Sequence, residues 1–257
     1  MFEKYLELIK ILRKKCPWDR KQTVKSSRRY ILNEAYELDE ALLTRDYQKI
    51  TEEIGDLIFT TLFVANILNE KKKIDFSEIE SFTVKKIITR HPHVFSNHRI
   101  KNADEVLSRW EVIKTKESNI PMLERIPKTL PALRRAQLIQ ERVARVGFDW
   151  KKKEEVFKKI IEEIKELGSA MQTSNKKAIE EELGDLYFAL VNLTRHLGLD
   201  AEEVLNKANK KFIDRFSKLE KHFKDQNKNL HQVTLKEMDR IWEKIKQGPR
   251  KAKKIDF

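Results

Sequence analysis

Residues 162–188 read EEIKELGSAMQTSNKKAIEEELGDLYF, and the fold follows from this stretch. Glu163 and Glu166 are three apart and Glu162 and Glu166 four apart, so a helix carries all three on one side. Glu182 and Asp185 repeat the three-residue spacing further on, and Thr173–Ser174–Asn175 between the two sets has turn chemistry. The midpoint of the two acidic pairs falls on Ser174. In an antiparallel helix hairpin, residues equidistant from the turn lie level with each other. The spacing therefore predicts one hairpin that gathers four or five carboxylates in one place.

The same pattern occurs once more, 129 residues earlier, as NEAYELDEALLTRDYQKITEEIGDLIF from Asn33 to Phe59. Glu34, Glu37, Glu53 and Asp56 align with Glu163, Glu166, Glu182 and Asp185, and the corresponding midpoint is Arg45, inside Thr44–Arg45–Asp46. A second echo pairs Trp110–Glu111–Val112–Ile113–Lys114 with Trp242–Glu243–Lys244–Ile245–Lys246. These registers describe a duplicated helical unit. Apolar residues at three- and four-residue spacing predict helices over 26–43, 47–69, 154–171 and 176–197. Gly198 reads as a helix stop and Asp200 as the N-cap of a helix to about residue 223, followed by another over 234–247. Pro121, Pro127 and Pro131 mark a linker over 119–131 between lobes 1–118 and 132–257, because proline forbids helix continuation. Gly55 and Gly184 are expected to permit close helix approach.

Composition agrees with an all-α chain. Only 6 glycines and 6 prolines among 257 residues argue against turn-rich β architectures. The single cysteine, Cys16, excludes an internal disulfide framework and fits a reducing compartment. No apolar run approaches the roughly 20 residues of a bilayer span, and the acidic N-terminal stretch lacks a signal-peptide core. The expectation is a cytoplasmic protein with no membrane partner. The net charge is +13, and residues 207–254 alone carry a surplus of ten positive charges. These lysines lack the interleaved aromatics of a base-stacking platform, so a solvated face or a phosphate ligand is a better reading than nucleic acid.

Carboxylates a few ångströms apart repel by several kcal/mol at an effective dielectric of about 20. Protonation, a Lys or Arg partner or a divalent cation relieves this, and the cation is the economical solution. All-oxygen ligands favour Mg²⁺, with Mn²⁺ as substitute, over softer metals. A di-iron bundle needs Glu-x-x-His, which is absent from the sequence. Lys211 and Arg215 follow one helix later at a four-residue interval, as Lys86 and Arg90 do in the first lobe, and these suit a phosphate group.

The paired Glu-Glu-x-x-Glu and Glu-x-x-Asp helices resemble the MazG nucleoside triphosphate pyrophosphohydrolases of the all-α NTP pyrophosphatase superfamily. Cys16–Pro17–Trp18–Asp19, His91–Pro92–His93–Val94–Phe95, Pro131–Ala132–Leu133 and Val146–Gly147–Phe148–Asp149–Trp150 are similar to its two-lobed form. The resemblance implies four-helix-bundle-type units completed by dimerisation. It also implies Mg²⁺-dependent hydrolysis of NTPs and dNTPs to monophosphate and pyrophosphate, as housecleaning of nucleotide pools. Carried over, Glu163, Glu166, Glu182 and Asp185 ligate the metal and Glu162 orients or deprotonates the attacking water. Lys211 and Arg215 hold the polyphosphate, and Trp242 contacts the base or caps the pocket. Asn192 binds sugar or base, against an equally good reading as a boundary asparagine satisfied by backbone.

The first lobe carries Asn33 where the motif has its first glutamate, and asparagine cannot act as a base. Catalysis is therefore expected in the second lobe, with a structural first lobe whose Glu34, Glu37, Glu53 and Asp56 leave residual metal affinity open. His91, His93 and Cys16 read as structural. The alternatives are a basic helical nucleic-acid-binding protein and an all-α pyrophosphohydrolase of narrower specificity, such as a phosphoribosyl-ATP pyrophosphohydrolase or a dimeric dUTPase.

Overall fold

A computed structural model of the chain describes residues 2–96, 102–117 and 120–247. Among the described residues there are twelve α-helices and no strand. In chain order these are α1 (Glu3–Lys15), α2 (Pro17–Lys21), α3 (Val24–Thr44), α4 (Tyr47–Glu70), α5 (Phe76–Arg90) and α6 (Pro92–Phe95). They continue as α7 (Ala103–Glu117), α8 (Ala132–Arg145), α9 (Lys153–Thr173), α10 (Lys176–His196), α11 (Ala201–Asp225) and α12 (Leu235–Gln247). A 3-10 turn at Leu230–Gln232 precedes α12. None of these helices is long and apolar enough to cross a membrane.

The duplicated hairpins are α3–α4 and α9–α10, and their turns match atom for atom. Arg45 and Ser174 close the first helix of each pair in the left-handed region, at φ 61° and 54°. The threonine before each, Thr44 or Thr173, donates its hydroxyl to the carbonyl of Ala41 or Ala170 at 2.7 Å. The residue after each caps the next helix. Asp46 accepts from the Gln48 and Lys49 amides, and Asn175 from those of Lys177 and Ala178. These side chains satisfy backbone donors that a helix start leaves open. The turn residues thereby fix the register on which the acidic cluster depends.

The chain forms two compact units, residues 1–100 and 101–257. In the first, α1 packs on α4 through Ile9, Phe63 and Ile67. Arg13 adds a bridge to Glu70 at 2.6 Å and donates to the carbonyls of Asp19, Arg20 and Gln22, which ties down α2. The segment 119–131, expected as the divider between lobes, falls within the second unit. There Ile126 is 4% exposed and Arg142 Nη1 donates to the Met122 carbonyl at 2.7 Å.

In the second unit α8 packs against α10 and α11 and positions both with buried glutamines. Gln140 Nε2 donates to the Phe188 carbonyl of α10 at 2.8 Å. Gln137 Oε1 accepts from the Ala201 amide, the first donor of α11, at 2.8 Å. Helix α10 stops at Gly198, whose φ of +70° lets Leu199 N reach the Thr194 carbonyl at 3.0 Å, and Asp200 then caps α11. Helices α11 and α12 close over Leu219, Phe223 and Val233, with Trp242 packed against them.

One expectation needs correction. At Gly184 a Cβ would meet nothing within 4 Å, and at Gly55 only the Tyr5 hydroxyl at 3.5 Å. The glycines of the Gly-Asp-Leu motifs therefore do not mark close helix crossings within the chain.

Ile67 is fully buried between α1 and α4. Ile67→Ala should destabilise the first unit by about 3 kcal/mol, read as a lower urea midpoint for its unfolding. A loss below about 1 kcal/mol would show that this cluster does not hold α1 in place.

Candidate functional site

The hairpin α9–α10 brings Glu163, Glu166 and Glu182 together, each with a carboxylate oxygen within 4.8 Å of the others. Glu163 is 4% exposed, Glu182 half-buried and Glu166 exposed. Asp185, one turn beyond Glu182 on the same helix, lies outside that group of three, but its charge reaches Glu182. Burial, and then the charges of Glu166, Glu163 and Asp185, push Glu182 above the ordinary glutamate range. Glu162 is exposed beside the group.

The cluster also has a cation that the sequence reading overlooked. Lys159 Nζ lies 2.7 Å from Glu162 Oε1 and 2.8 Å from Glu163 Oε1. Hydrogen bonds to Glu162 and Glu163 hold Lys159 well above the usual lysine value, so it stays charged. Its spacing of three and four residues from the two glutamates was readable as an ion-pair pattern. It neutralises the Glu162–Glu163 side of the cluster and leaves Glu166 and Glu182 facing each other.

The first lobe repeats the backbone without the same charges. Glu34, Glu37 and Glu53 converge within the same 4.8 Å limit, and Glu53 is 8% exposed. Burial, followed by Glu37 and Asp56, raises Glu34; burial, followed by Glu37, raises Glu53 against the opposing pull of Lys49. Tyr30 and Asn33 stand at the positions of Lys159 and Glu162. This copy thus keeps the repelling trio and lacks both the lysine and the extra carboxylate.

Lys211 and Arg215 lie on α11, which Gln137 anchors, and neither forms an ion pair with a described residue. Trp242 packs in the α11–α12 cluster with its ring 5.1 Å from that of Phe212. Asn192 is 6% exposed, and its Oδ1 accepts from Arg195 Nε at 3.0 Å and Nη2 at 2.7 Å. A side chain, not the backbone, satisfies it. Arg195 in turn binds Asp149 at 2.6 Å, as His196 does at 3.0 Å. Burial pushes Asp149 up, but the bonds from Arg195 and His196 outweigh it and hold the carboxyl below its usual range. The Phe148–Asp149–Trp150 segment is thereby tied to the end of α10. His91 bonds the Ile87 carbonyl through Nδ1 at 2.7 Å, and no histidine or cysteine joins either carboxylate group among the described residues.

The donor set fits a hard divalent cation. Both groups offer oxygen alone, at least one carboxylate in each is buried, and burial together with the neighbouring carboxylates raises Glu182, Glu34 and Glu53.

The MazG nucleotide pyrophosphohydrolase domain family matches residues 22–95 and 151–219, one match over each hairpin. The chain is 41% identical over 237 residues to the nucleoside triphosphate pyrophosphohydrolase of Escherichia coli K12, covering 90% of each chain. It is 38% identical over 253 residues to the nucleoside triphosphate pyrophosphohydrolase/pyrophosphatase MazG of Thermotoga maritima, covering 96% of each. A crystal structure of a mazG-related protein from Thermotoga maritima aligns with 44% of this chain and 98% of its own, at TM-score 0.40 and 32% identity. An all-α chain built from two tandem acidic hairpins thus has a family: it belongs to the MazG nucleotide pyrophosphohydrolases.

With Glu182 as a ligand, its raised carboxyl would make cation binding depend on pH. A carboxyl raised on folding gives stability that is complete below about pH 4.3 and lost as pH climbs through its folded value. A cation requires the ionised form and offsets that loss. Added Mg²⁺ or Mn²⁺ should therefore raise the Tm more at about pH 7 than at about pH 5. Equal shifts at both, or none, would contradict the assignment of Glu182 as a ligand.

Proposed function

We propose that the second lobe hydrolyses nucleoside and deoxynucleoside triphosphates to monophosphate and pyrophosphate, with Mg²⁺ as cofactor and Mn²⁺ as substitute. The observation that carries this reading is the convergence of Glu163, Glu166 and Glu182 beside the free carboxylate side of Glu162. The names of the relatives support the substrate class. Glu163, Glu166, Glu182 and Asp185 would hold the cation. When bound, it supplies charge neutralisation for the triphosphate and acidifies water.

The chain's own residues do the rest. Glu162, exposed and anchored at one oxygen by Lys159, is placed to take the proton of a water attacking the α-phosphorus. Lys159 stays protonated and holds Glu162 in place through its hydrogen bond. Lys211 and Arg215 meet the β- and γ-phosphates and offset the charge that builds on pyrophosphate as it leaves. Asn192 is committed to Arg195, which favours a supporting role for it over sugar or base contact. The first lobe, residues 1–118, serves as scaffold in this reading, because Asn33 leaves it without a base; the catalytic lobe spans 132–257.

The functional unit is a homodimer in this proposal. Phe157, Ile161 and Ile164 on α9, and Leu183, Tyr187 and Leu190 on α10, form exposed apolar stripes at helical spacing. Contiguous apolar surface of this kind marks an interaction face. The protein works in the cytoplasm, on nucleotide pools, and its basic surplus serves nucleotide phosphates and not nucleic acid. Residues 248–254 of the basic segment lie outside the described residues.

Incubation of the protein with dGTP and Mg²⁺, followed by product chromatography, should yield dGMP and pyrophosphate. Glu163→Ala or Asp185→Ala should abolish turnover while Glu34→Ala leaves most of it; equal loss in the first lobe would reverse the assignment of lobes. Glu162→Gln should keep cation binding and lower kcat by roughly a hundredfold, as removal of a general base does. An unchanged kcat would take that role from Glu162.

A further inference from the structure

Helices α11 and α12 leave a groove of about 250 Å³. Whole drug-sized ligands occupy roughly 300–1,000 Å³, so the groove suits one ring system and not an entire nucleotide. Its walls are aromatic and aliphatic: Phe212 and Phe216 lie nearly parallel, 10° apart, and Trp242 leans on Phe212. Asp239 supplies the one charged side chain of the lining, and it makes no hydrogen bond or ion pair with a described residue. An unpaired carboxylate in the wall of an apolar slot selects for what it can accept from.

The groove has a fixed relation to the phosphate-binding cations. Lys211 and Arg215 each precede a groove aromatic, Phe212 or Phe216, by one position on α11. One residue is about 100° around a helix, so cations and aromatics form adjacent stripes. A ligand whose phosphates meet Lys211 and Arg215 carries its other end over the aromatics. Planar bases stack on such side chains whatever their sequence, and a carboxylate offers two acceptors in one plane.

Resting on the nucleotide reading above, in which Trp242 meets the base, we propose that Asp239 beside it makes the enzyme prefer guanine nucleotides. Guanine presents two adjacent donors, N1–H and the exocyclic amino group, to the two oxygens of a carboxylate. Adenine and cytosine put an acceptor beside their amino group, which a carboxylate repels. Uracil and thymine offer one N–H flanked by two carbonyls. Hydrogen-bond complementarity of this kind is where a site discriminates most strongly, because the wrong ligand leaves polar groups unpaired.

The test is kcat/KM of the full chain with Mg²⁺ on dGTP, dATP, dCTP and dTTP, for the protein itself and for Asp239→Asn. The side chains are isosteric and the position is exposed on α12, so folding is not at issue. The expected result is a dGTP preference of roughly tenfold over dATP, in line with one bidentate contact. Asp239→Asn should bring that ratio close to one, and dITP, which lacks the exocyclic amino group, should fall between dGTP and dATP. Turnover with a flat base profile, or a dGTP preference that Asp239→Asn leaves unmoved, would overturn the base assignment alone. No turnover of any triphosphate would overturn the nucleotide reading and this inference with it.

Discussion

Mutual repulsion among carboxylates that a rigid hairpin forces together is the constraint on which the rest of this molecule depends. In α9–α10 a left-handed Ser174, a threonine hydroxyl on the previous turn and an Asn175 cap leave the register no freedom. Glu163, Glu166 and Glu182 then have no choice but to share one small volume. At an effective dielectric of about 20, several kcal/mol oppose such a grouping. The protein meets this in part with Lys159, which covers two carboxylates on one side. Burial and the remaining repulsion together raise Glu182. What is left over is a demand for positive charge at a defined place, and that demand is the basis of the chemistry proposed for it.

The two copies of the hairpin separate architecture from activity. They share turn geometry, capping atoms and the convergent trio. They differ at positions 30 and 33 against 159 and 162, where the first copy has Tyr and Asn and the second Lys and Glu. The two copies can differ at these positions without loss of fold, because neither side chain contributes to the turn. Conversely, the copy that carries Asn33 also buries Glu53. The carboxylate trio therefore belongs to the geometry of the hairpin, and Glu162 with Lys159 belongs to the chemistry proposed for the second copy.

Much of this was legible in the sequence. The helix ends of α3, α4, α9, α10 and α11 follow from caps and periodicity, and the turn midpoints at Arg45 and Ser174 follow from the spacing of the acids alone. Convergence of the trio was predictable for the same reason: it is a consequence of local register. Features that depend on packing between distant segments were not. The Asn192–Arg195–Asp149 connection joins residues 46 apart in sequence, and nothing in either local pattern announces it. The proline segment looked like a spacer because proline ends helices. Its Ile126 and Met122 were instead claimed by the second unit, a tertiary effect. Gly184 misled for a simpler reason, since a small residue permits close approach without requiring it. Lys159 was legible by spacing and was hidden only by the abundance of lysine in this chain.

The pivotal claim is that Glu163, Glu166 and Glu182 hold a divalent cation. Diffraction from crystals soaked in Mn²⁺, recorded at the manganese absorption edge, locates the ion without reference to activity. The account predicts an anomalous peak within coordination distance of these three carboxylates, with Lys159 displaced from Glu163. A saturated crystal with its only peaks elsewhere, and the lysine still bound to both glutamates, would contradict it.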